Sequence, residues 1–320
     1  MPEIDEQVEQ AESEALADSS DEGESTRWNY DEGTEFYPGR HALQKLGGGY
    51  DYEAYLAWDD KMYSLIVAKC LRPHLLGDEP SLGGMAREAD FLLRLKHPVV
   101  VRGFDAVLDG DRPHLVMEHI EGMNLGSLID RYGPLPMEQL LPLGLQICSA
   151  LHYLGSEEIV HLDVKPRNII MSAPPRLIDL SVARSFSRAA QITGYVGTDA
   201  YMAPEQCDPE RATIGPAADV WGFGATMYHA ATGNVPFPRP DYDKERDEDN
   251  PNIRFPQLEQ ESEPFPKQTP GPVVETILRC LDPEPERRPT VSEIVALIEP
   301  MVAALPTRPV LRKMRPGQRR

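Results

Sequence analysis

The sequence predicts an α+β chain of two lobes, a small strand-rich one followed by a larger, mainly helical one. Three observations carry this. Short apolar runs separated by glycine and Asp/Arg turns fill residues 40–118, and 3.6-residue periodicity takes over beyond Gly122. The composition, 41% hydrophobic and 26% charged over 320 residues, is that of a globular chain long enough to bury a sizeable core. The net charge of −20 is unevenly spread: thirteen Asp/Glu against Arg27 in residues 1–36, and six basic residues with no acid from residue 306 onward. Such an acidic body argues against nucleic acid as a partner, because phosphate backbones need a basic face.

Residues 1–36 combine high charge with few large apolar groups and are expected to form a disordered acidic tail. The folded domain is expected over 37–305, divided into lobes at 37–120 and 121–305, with a basic tail over 306–320. In the first lobe, "HALQKLGGGYDYEAYLAWD" reads as strand, glycine turn and strand, and "YSLIVAKCLRP" as a third strand. In "SLGGMAREADFLLRL", Met85, Ala89, Leu92 and Leu95 recur at helical spacing. "VVVRGFDAVLD" and "RPHLVMEHI" then read as an antiparallel pair turning at Asp109–Arg112, with a cleft expected near Glu118–Gly122. In the second lobe, "MEQLLPLGLQICSALHYL" places Leu140, Leu143, Ile147, Ala150, Leu151 and Leu154 on one helical face. "ADVWGFGATMYHAAT" is apolar nearly all round and is expected to be buried. Residues 236–272, rich in Pro and acid, read as a long surface connection, and two helices over "PVVETILRCLD" and "TVSEIVALIEPMVAAL" finish the lobe.

Cys70, Cys148, Cys207 and Cys280 are far apart and form no C-x-x-C pair, as expected of reduced thiols. Neither a signal-peptide pattern nor an apolar stretch of eighteen residues is found, so a cytoplasmic protein without a membrane span is expected.

The densest chemical signal is "IVHLDVKPRNIIM". It matches the loop H-R-D-L-x-x-x-N through His161, Asp163 and Asn168, with Leu162 in the arginine place. Asp163 fits a carboxylate that accepts a hydroxyl proton. Asn168 fits an amide oxygen on a metal, and Lys165 a cation beside a transferring phosphoryl group.

With this loop the chain resembles the eukaryotic-type (Hanks-type) serine/threonine protein kinases, in their bacterial branch, over roughly residues 40–305. The resemblance implies the two-lobed protein-kinase-like fold and extends through motifs in the family's order. "LGGGYDYEAYLA" resembles the glycine-rich loop: Gly47 and Gly49 take the first two glycine places, Tyr52 stands at the third, and Ala54 follows in the nucleotide-binding strand. Lys69 of "IVAKCL" sits like the lysine that holds the α/β-phosphates, and Glu88 like its helix partner. In "HLVMEHIEG", Met117 takes the gatekeeper place, and the backbone of Glu118 and Ile120 is implied to contact adenine. "RLIDLSVAR" stands where D-F-G belongs, so Asp179 is implied as a metal ligand beside Asn168, with Ser181 in the glycine place. Thr198 of "GTDAYMAPE" is implied to hydrogen-bond near Asp163 and Lys165, Glu205 to pair with Arg288, and Asp219 to brace the catalytic-loop backbone.

The function implied is transfer of the ATP γ-phosphoryl group to Ser/Thr hydroxyls of proteins, autophosphorylation included, with Mg²⁺ or Mn²⁺ as cofactor. ATP and protein substrates are the implied partners; a homodimer stays open. The alternative is a pseudokinase acting as a nucleotide-binding scaffold, motivated by Tyr52, Leu162 and Ser181, none of which is a proton acceptor or metal ligand. A small-molecule kinase is disfavoured by "MAPE", Thr198 and "RRPT", which build a platform for a peptide. Three consequences are expected of the departures, the first being that Tyr52 in the third glycine place weakens the grip on nucleotide. Ser181, carrying a Cβ, restricts its segment if φ must be positive there. Leu162 removes the usual partner of an activation-loop phosphate, so activity is expected to depend little on phosphorylation of Ser185, Ser187 or Thr193.

Overall fold

The computed structural model describes residues 26–239, 242–247 and 250–306. The chain divides into two compact units. The first contains the described residues up to Ala89 together with Gly103–His119, the second Asp90–Arg102 together with those from Ile120 onward. Thus the expected division near residue 120 misses one segment: residues 90–102 group with the second unit, where Val101 N–H bonds to Leu177 O and Leu177 N–H to Val99 O.

The first unit is built on a six-stranded sheet. β1 (Glu35–Tyr37), β2 (Arg40–Gly48), β3 (Tyr52–Asp59), β4 (Ser64–Leu71), β5 (Gly103–Val107) and β6 (His114–Glu118) run in the order β1-β2-β3-β4-β6-β5, antiparallel throughout. Period-2 alternation sorts β3 cleanly: Glu53, Tyr55, Ala57 and Asp59 are buried, while Tyr52, Ala54, Leu56 and Trp58 face the other side half-buried. Tyr55 and Ala57 join Phe36, Ala42, Ile66, Ala68, Cys70 and Val116 in a core on the first of these faces. Helix α1 (Glu79–Arg94) follows β4, with Met85, Ala89 and Leu92 buried.

The expectation of a disordered tail through residue 36 is corrected for residues 26–36; residues 1–25 lie outside the described residues. Trp28 and Tyr30 pack against the sheet core, stacking ring on ring (5.6 Å), and Tyr30 stacks on Phe36 (5.5 Å). The Trp28 indole N–H donates to Leu71 O at 2.7 Å, and its backbone N–H to Glu53 Oε2 at 2.8 Å. Four aromatics between Trp28 and Tyr37 supply the apolar area that the acidic composition conceals. The fully buried Glu53 carboxyl is pushed up by burial, but Lys45, Trp28 N–H and the Tyr55 hydroxyl together hold it below the usual range.

The second unit is mainly helical: α2 (Leu125–Tyr132), α3 (Met137–Ser156), α4 (Pro216–Thr232), α5 (Gly271–Cys280) and α6 (Val291–Ala303). Asn124 caps α2, accepting from Ser127 N–H, and a Thr290–Glu293 capping box opens α6. The predicted α3 face is buried as a stripe containing Leu140, Leu143, Ile147, Leu151 and Leu154. Helix α4 is buried almost all round, Trp221 and Phe223 included. The 236–272 segment is more than a surface connection. Phe255 is fully buried with Met202 and Cys207, and Phe237 stacks on Trp221 at 5.5 Å. All four cysteines are free and buried.

Candidate active site

Short strands set the reactive residues of the second unit. β7 (Ile159–Val160) pairs with β10 (Arg184–Ser185), and β8 (Ile169–Ile170) with β9 (Arg176–Leu177). The loop from β7 to β8 therefore holds residues 161–168 between two fixed ends, and Asp179 follows β9 directly. Ile178 N–H bonds to Asn168 O (2.8 Å) and His161 Nε2 to Ile178 O (3.3 Å), which ties that loop to the Asp179 segment.

Asp163, Lys165, Asn168 and Thr198 meet in one polar network. The Thr198 hydroxyl donates to Asp163 Oδ1 (2.7 Å), and Lys165 Nζ lies 2.6 Å from Thr198 Oγ1 and 2.8 Å from Asp163 Oδ2. Asn168 Nδ2 donates to both Asp163 O and Asp163 Oδ2, each at 2.9 Å. One Asp163 oxygen thus already accepts from a hydroxyl. Both amide hydrogens of Asn168 are used inside the loop, which leaves its carbonyl oxygen as the end available to a cation. Together with the Asp179 carboxylate this is a hard-oxygen set with few protein ligands, the kind that suits Mg²⁺ shared with phosphate oxygens and water. Among the described residues no group of three or more His, Cys, Asp or Glu could hold a metal on its own.

The backbone beneath this network is strained and held. Leu162 and Asp179 both adopt φ of +67°, a left-handed conformation costing roughly 1–2 kcal/mol for a residue with a Cβ. Asp219, at the start of α4, accepts the N–H groups of His161 and Leu162, both at 2.7 Å. Burial pushes the Asp219 carboxyl up, while His161 and these two donors oppose it. Gln206 was missed by sequence reasoning. Its Nε2 donates to Leu162 O (2.9 Å) and Val196 O (2.8 Å), and its Oε1 accepts from Ala203 N–H (3.0 Å). Its type and spacing gave no signal, since the acceptors lie 44 and 10 residues away. Gly197, at φ +115°, approaches so closely that a Cβ would meet Leu162 O at 2.7 Å. Glu205 and Arg288 form a buried bidentate pair at 2.7 and 2.8 Å. Ser181 does not adopt positive φ, so its Cβ carries no backbone cost here; the strained residue is Asp179, two positions earlier.

In the first unit, Lys69 on β4 lies directly across from Ala54 on β3. Lys69 Nζ contacts both Glu88 carboxylate oxygens, at 2.9 and 3.0 Å, with Glu88 fully buried. Gly47 and Gly48 end β2, and Gly49 N–H closes the turn on Tyr52 O (3.0 Å). A Cβ at Gly48 would lie 2.5 Å from that same oxygen. Met117 and Glu118 end β6, and at Ile120 the chain enters the second unit for good.

A sheet-based unit carrying a lysine–glutamate pair, and a helical unit carrying an Asp/Lys/Asn/Thr network, define the class. The chain belongs to the protein kinase domain family, whose profile matches residues 40–297. It is 31% identical over 201 residues to the serine/threonine-protein kinase PknB of Mycobacterium leprae, an alignment covering 60% of this chain and 32% of that protein. It is 27% identical over 253 residues (77% of this chain, 37% of the relative) to a probable serine/threonine-protein kinase of Clostridium acetobutylicum. It is also 34% identical over 213 residues to the mouse serine/threonine-protein kinase Nek10, covering 64% of this chain and 18% of that one. The chain thus spans about a third of the length of the bacterial relatives it matches.

Proposed function

We propose that this chain is a protein serine/threonine kinase that transfers the γ-phosphoryl group of ATP to protein hydroxyls with Mg²⁺ or Mn²⁺. The observation that carries this reading is the Thr198 hydroxyl on Asp163 Oδ1 with Lys165 Nζ beside both. A carboxylate placed to accept from a hydroxyl, with a cation next to it, suits a base that takes a Ser/Thr proton as phosphoryl transfer proceeds. In this role Lys165 offsets charge on the transferring group, and Thr198 keeps Asp163 oriented. Asn168 and Asp179 would hold the divalent cation, which when bound supplies charge neutralisation at the phosphates. Lys69, held by Glu88, would grip the α/β-phosphates with Gly47 and Gly49. Ala54 and the backbone of Glu118 and Ile120 would line the adenine site. Cytoplasmic placement belongs to the same proposal, supported by four free cysteines; no helix of the described residues is long and apolar enough to cross a membrane.

Transfer of ³²P from [γ-³²P]ATP by the wild type and by Asp163→Asn, with nucleotide thermal shifts with and without Mg²⁺, tests the reading. Wild-type transfer that the substitution removes, with stabilisation by nucleotide and metal in both proteins, is the expected result. Equal background from the two proteins would favour the scaffold alternative that Tyr52, Leu162 and Ser181 motivate.

Low dependence on activation-segment phosphorylation is part of the proposal. Leu162 is buried (3% exposed) and carries no charge to pair with a phosphate, while Gln206 bridges the catalytic loop to Val196 through a neutral amide. Replacing Ser185, Ser187 and Thr193 together by Ala should leave phosphotransfer within about threefold of wild type; loss of activity in that variant would refute this part.

A further inference from the structure

Tyr52 occupies the place where the glycine-rich loop of the resembling family carries its third glycine, and its side chain is half-buried rather than turned to solvent. Strand register explains where it goes. Tyr52 lies opposite Leu71, and Ala54 opposite Lys69, so Tyr52 and Lys69 share one sheet face as diagonal neighbours. The ring lies beneath the ammonium: Lys69 Nζ is 4.7 Å from the Tyr52 ring centroid while it contacts both Glu88 oxygens. Beyond the ring, the hydroxyl reaches helix α1, where an added Cβ on Gly84 would sit 3.7 Å from Tyr52 Oη. Gly84 and Glu88 are four residues apart and so occupy one face of α1. Burial lifts the Tyr52 hydroxyl to about 12, with Lys69 opposing, so the phenol stays neutral and the ring keeps its ordinary cation-attracting face. Lys69 is therefore held on two sides, by the Glu88 carboxylate and by an aromatic ring wedged between the sheet and the small residue of α1.

We infer that Tyr52 is a positioning residue for nucleotide phosphate: its ring keeps the Lys69 ammonium in the Glu88-paired orientation, a task the family's glycine cannot perform. The inference rests on the reading of Lys69 as the phosphate-holding lysine. Because the ring acts through Lys69 and not through the substrate hydroxyl, it should be felt in ATP affinity and not in peptide affinity.

The test uses the full chain with Tyr52→Phe, Tyr52→Leu and Lys69→Arg. Tyr52→Phe, which keeps the ring, should preserve kcat/KM for ATP within about twofold. Tyr52→Leu should lower it about tenfold, chiefly through a raised KM for ATP, with KM for peptide unchanged. In ¹³Cε-lysine spectra, the Lys69 methylene protons should show an upfield ring-current shift that persists in Tyr52→Phe and vanishes in Tyr52→Leu, the signal being assigned by its loss in Lys69→Arg. A general loss of folded enzyme would instead lower kcat with KM intact, and that outcome overturns the inference, as does a Tyr52→Leu enzyme with wild-type KM for ATP. If Lys69→Arg abolishes transfer while Tyr52→Leu behaves as wild type, the role of Tyr52 alone falls. If Lys69→Arg transfers as well as wild type, the assignment of Lys69 falls and that of Tyr52 with it.

Discussion

The two units hold their reactive groups by different physics. In the first, one ion pair, Lys69–Glu88, joins helix α1 to a sheet whose opposite face is closed by Trp28, Tyr30 and Phe36. In the second, Asp163 and its partners sit in a loop held by side-chain hydrogen bonds from Asp219, Gln206 and Thr198, reinforced by the buried Glu205–Arg288 pair. Aromatic packing is tolerant of polar editing but sensitive to lost volume. Hydrogen-bonded networks are the reverse, because a single missing partner leaves a buried group unsatisfied.

The largest effect that sharpens this contrast is on chemistry. Asp163→Asn should lower kcat about 10³-fold with nucleotide-induced stabilisation retained, read by phosphotransfer and thermal shift. Next comes the second unit's ion pair. Glu205→Ala strands Arg288, whose side chain is almost fully buried, and should cost about 3–5 kcal/mol in urea unfolding, partly relieved by the Ala217 and Pro283 carbonyls that Arg288 also reaches. For the first unit, Trp28→Ala should cost about 3 kcal/mol by loss of aromatic volume, while a conservative Trp28→Phe should cost about half of that. If Trp28→Ala left unfolding unchanged, the aromatic closure of the sheet would not be structural and the contrast would collapse.

A pH effect separates the units further. His114 is fully buried, its Nδ1 2.7 Å from Arg112 O and its Nε2 2.8 Å from Arg40 Nη1, an arrangement that needs a neutral ring. Burial lowers it from 6.5 to about 4. A histidine depressed on folding takes up protons more readily when unfolded, so stability should be complete above pH 6.5 and fall as pH drops through 6 toward 4. The loss by pH 4 is on the order of 3 kcal/mol, and a His114→Gln variant should show a shallower slope over the same range. The smallest effect is expected for Gln206→Leu, a drop of about tenfold in kcat with KM for ATP unchanged, because the amide holds Leu162 and not nucleotide.

What could be read in advance follows from sequence distance. His161, Asp163, Lys165 and Asn168 lie within eight residues, so their chemistry and spacing are visible in one segment, and the helical stripes of α1 and α3 show through periodicity. Trp28 and Tyr30 were hidden because the acidic composition of their surroundings describes solvent exposure, whereas their partners Leu71 and Tyr55 lie 43 and 25 residues on. Phe255 and Gln257 were hidden the same way inside a Pro/acid-rich stretch: Gln257 donates to Asp199 O and Met202 O across more than fifty residues. In this segment the positive φ falls on Asp179, where the chain turns out of β9, and not on Ser181 in the glycine place.

The aromatic strap has a practical consequence. The family profile begins at residue 40, yet Trp28, Tyr30 and Phe36 precede it. A protein trimmed to residues 40–297 would uncover Tyr55, Ala57, Ile66 and Val116 as an apolar face, strip Glu53 of its Trp28 N–H donor, and invite self-association through the uncovered face. The edge of a recognisable motif set is thus not the edge of a folding unit, and expression boundaries for this kinase domain belong upstream of Trp28.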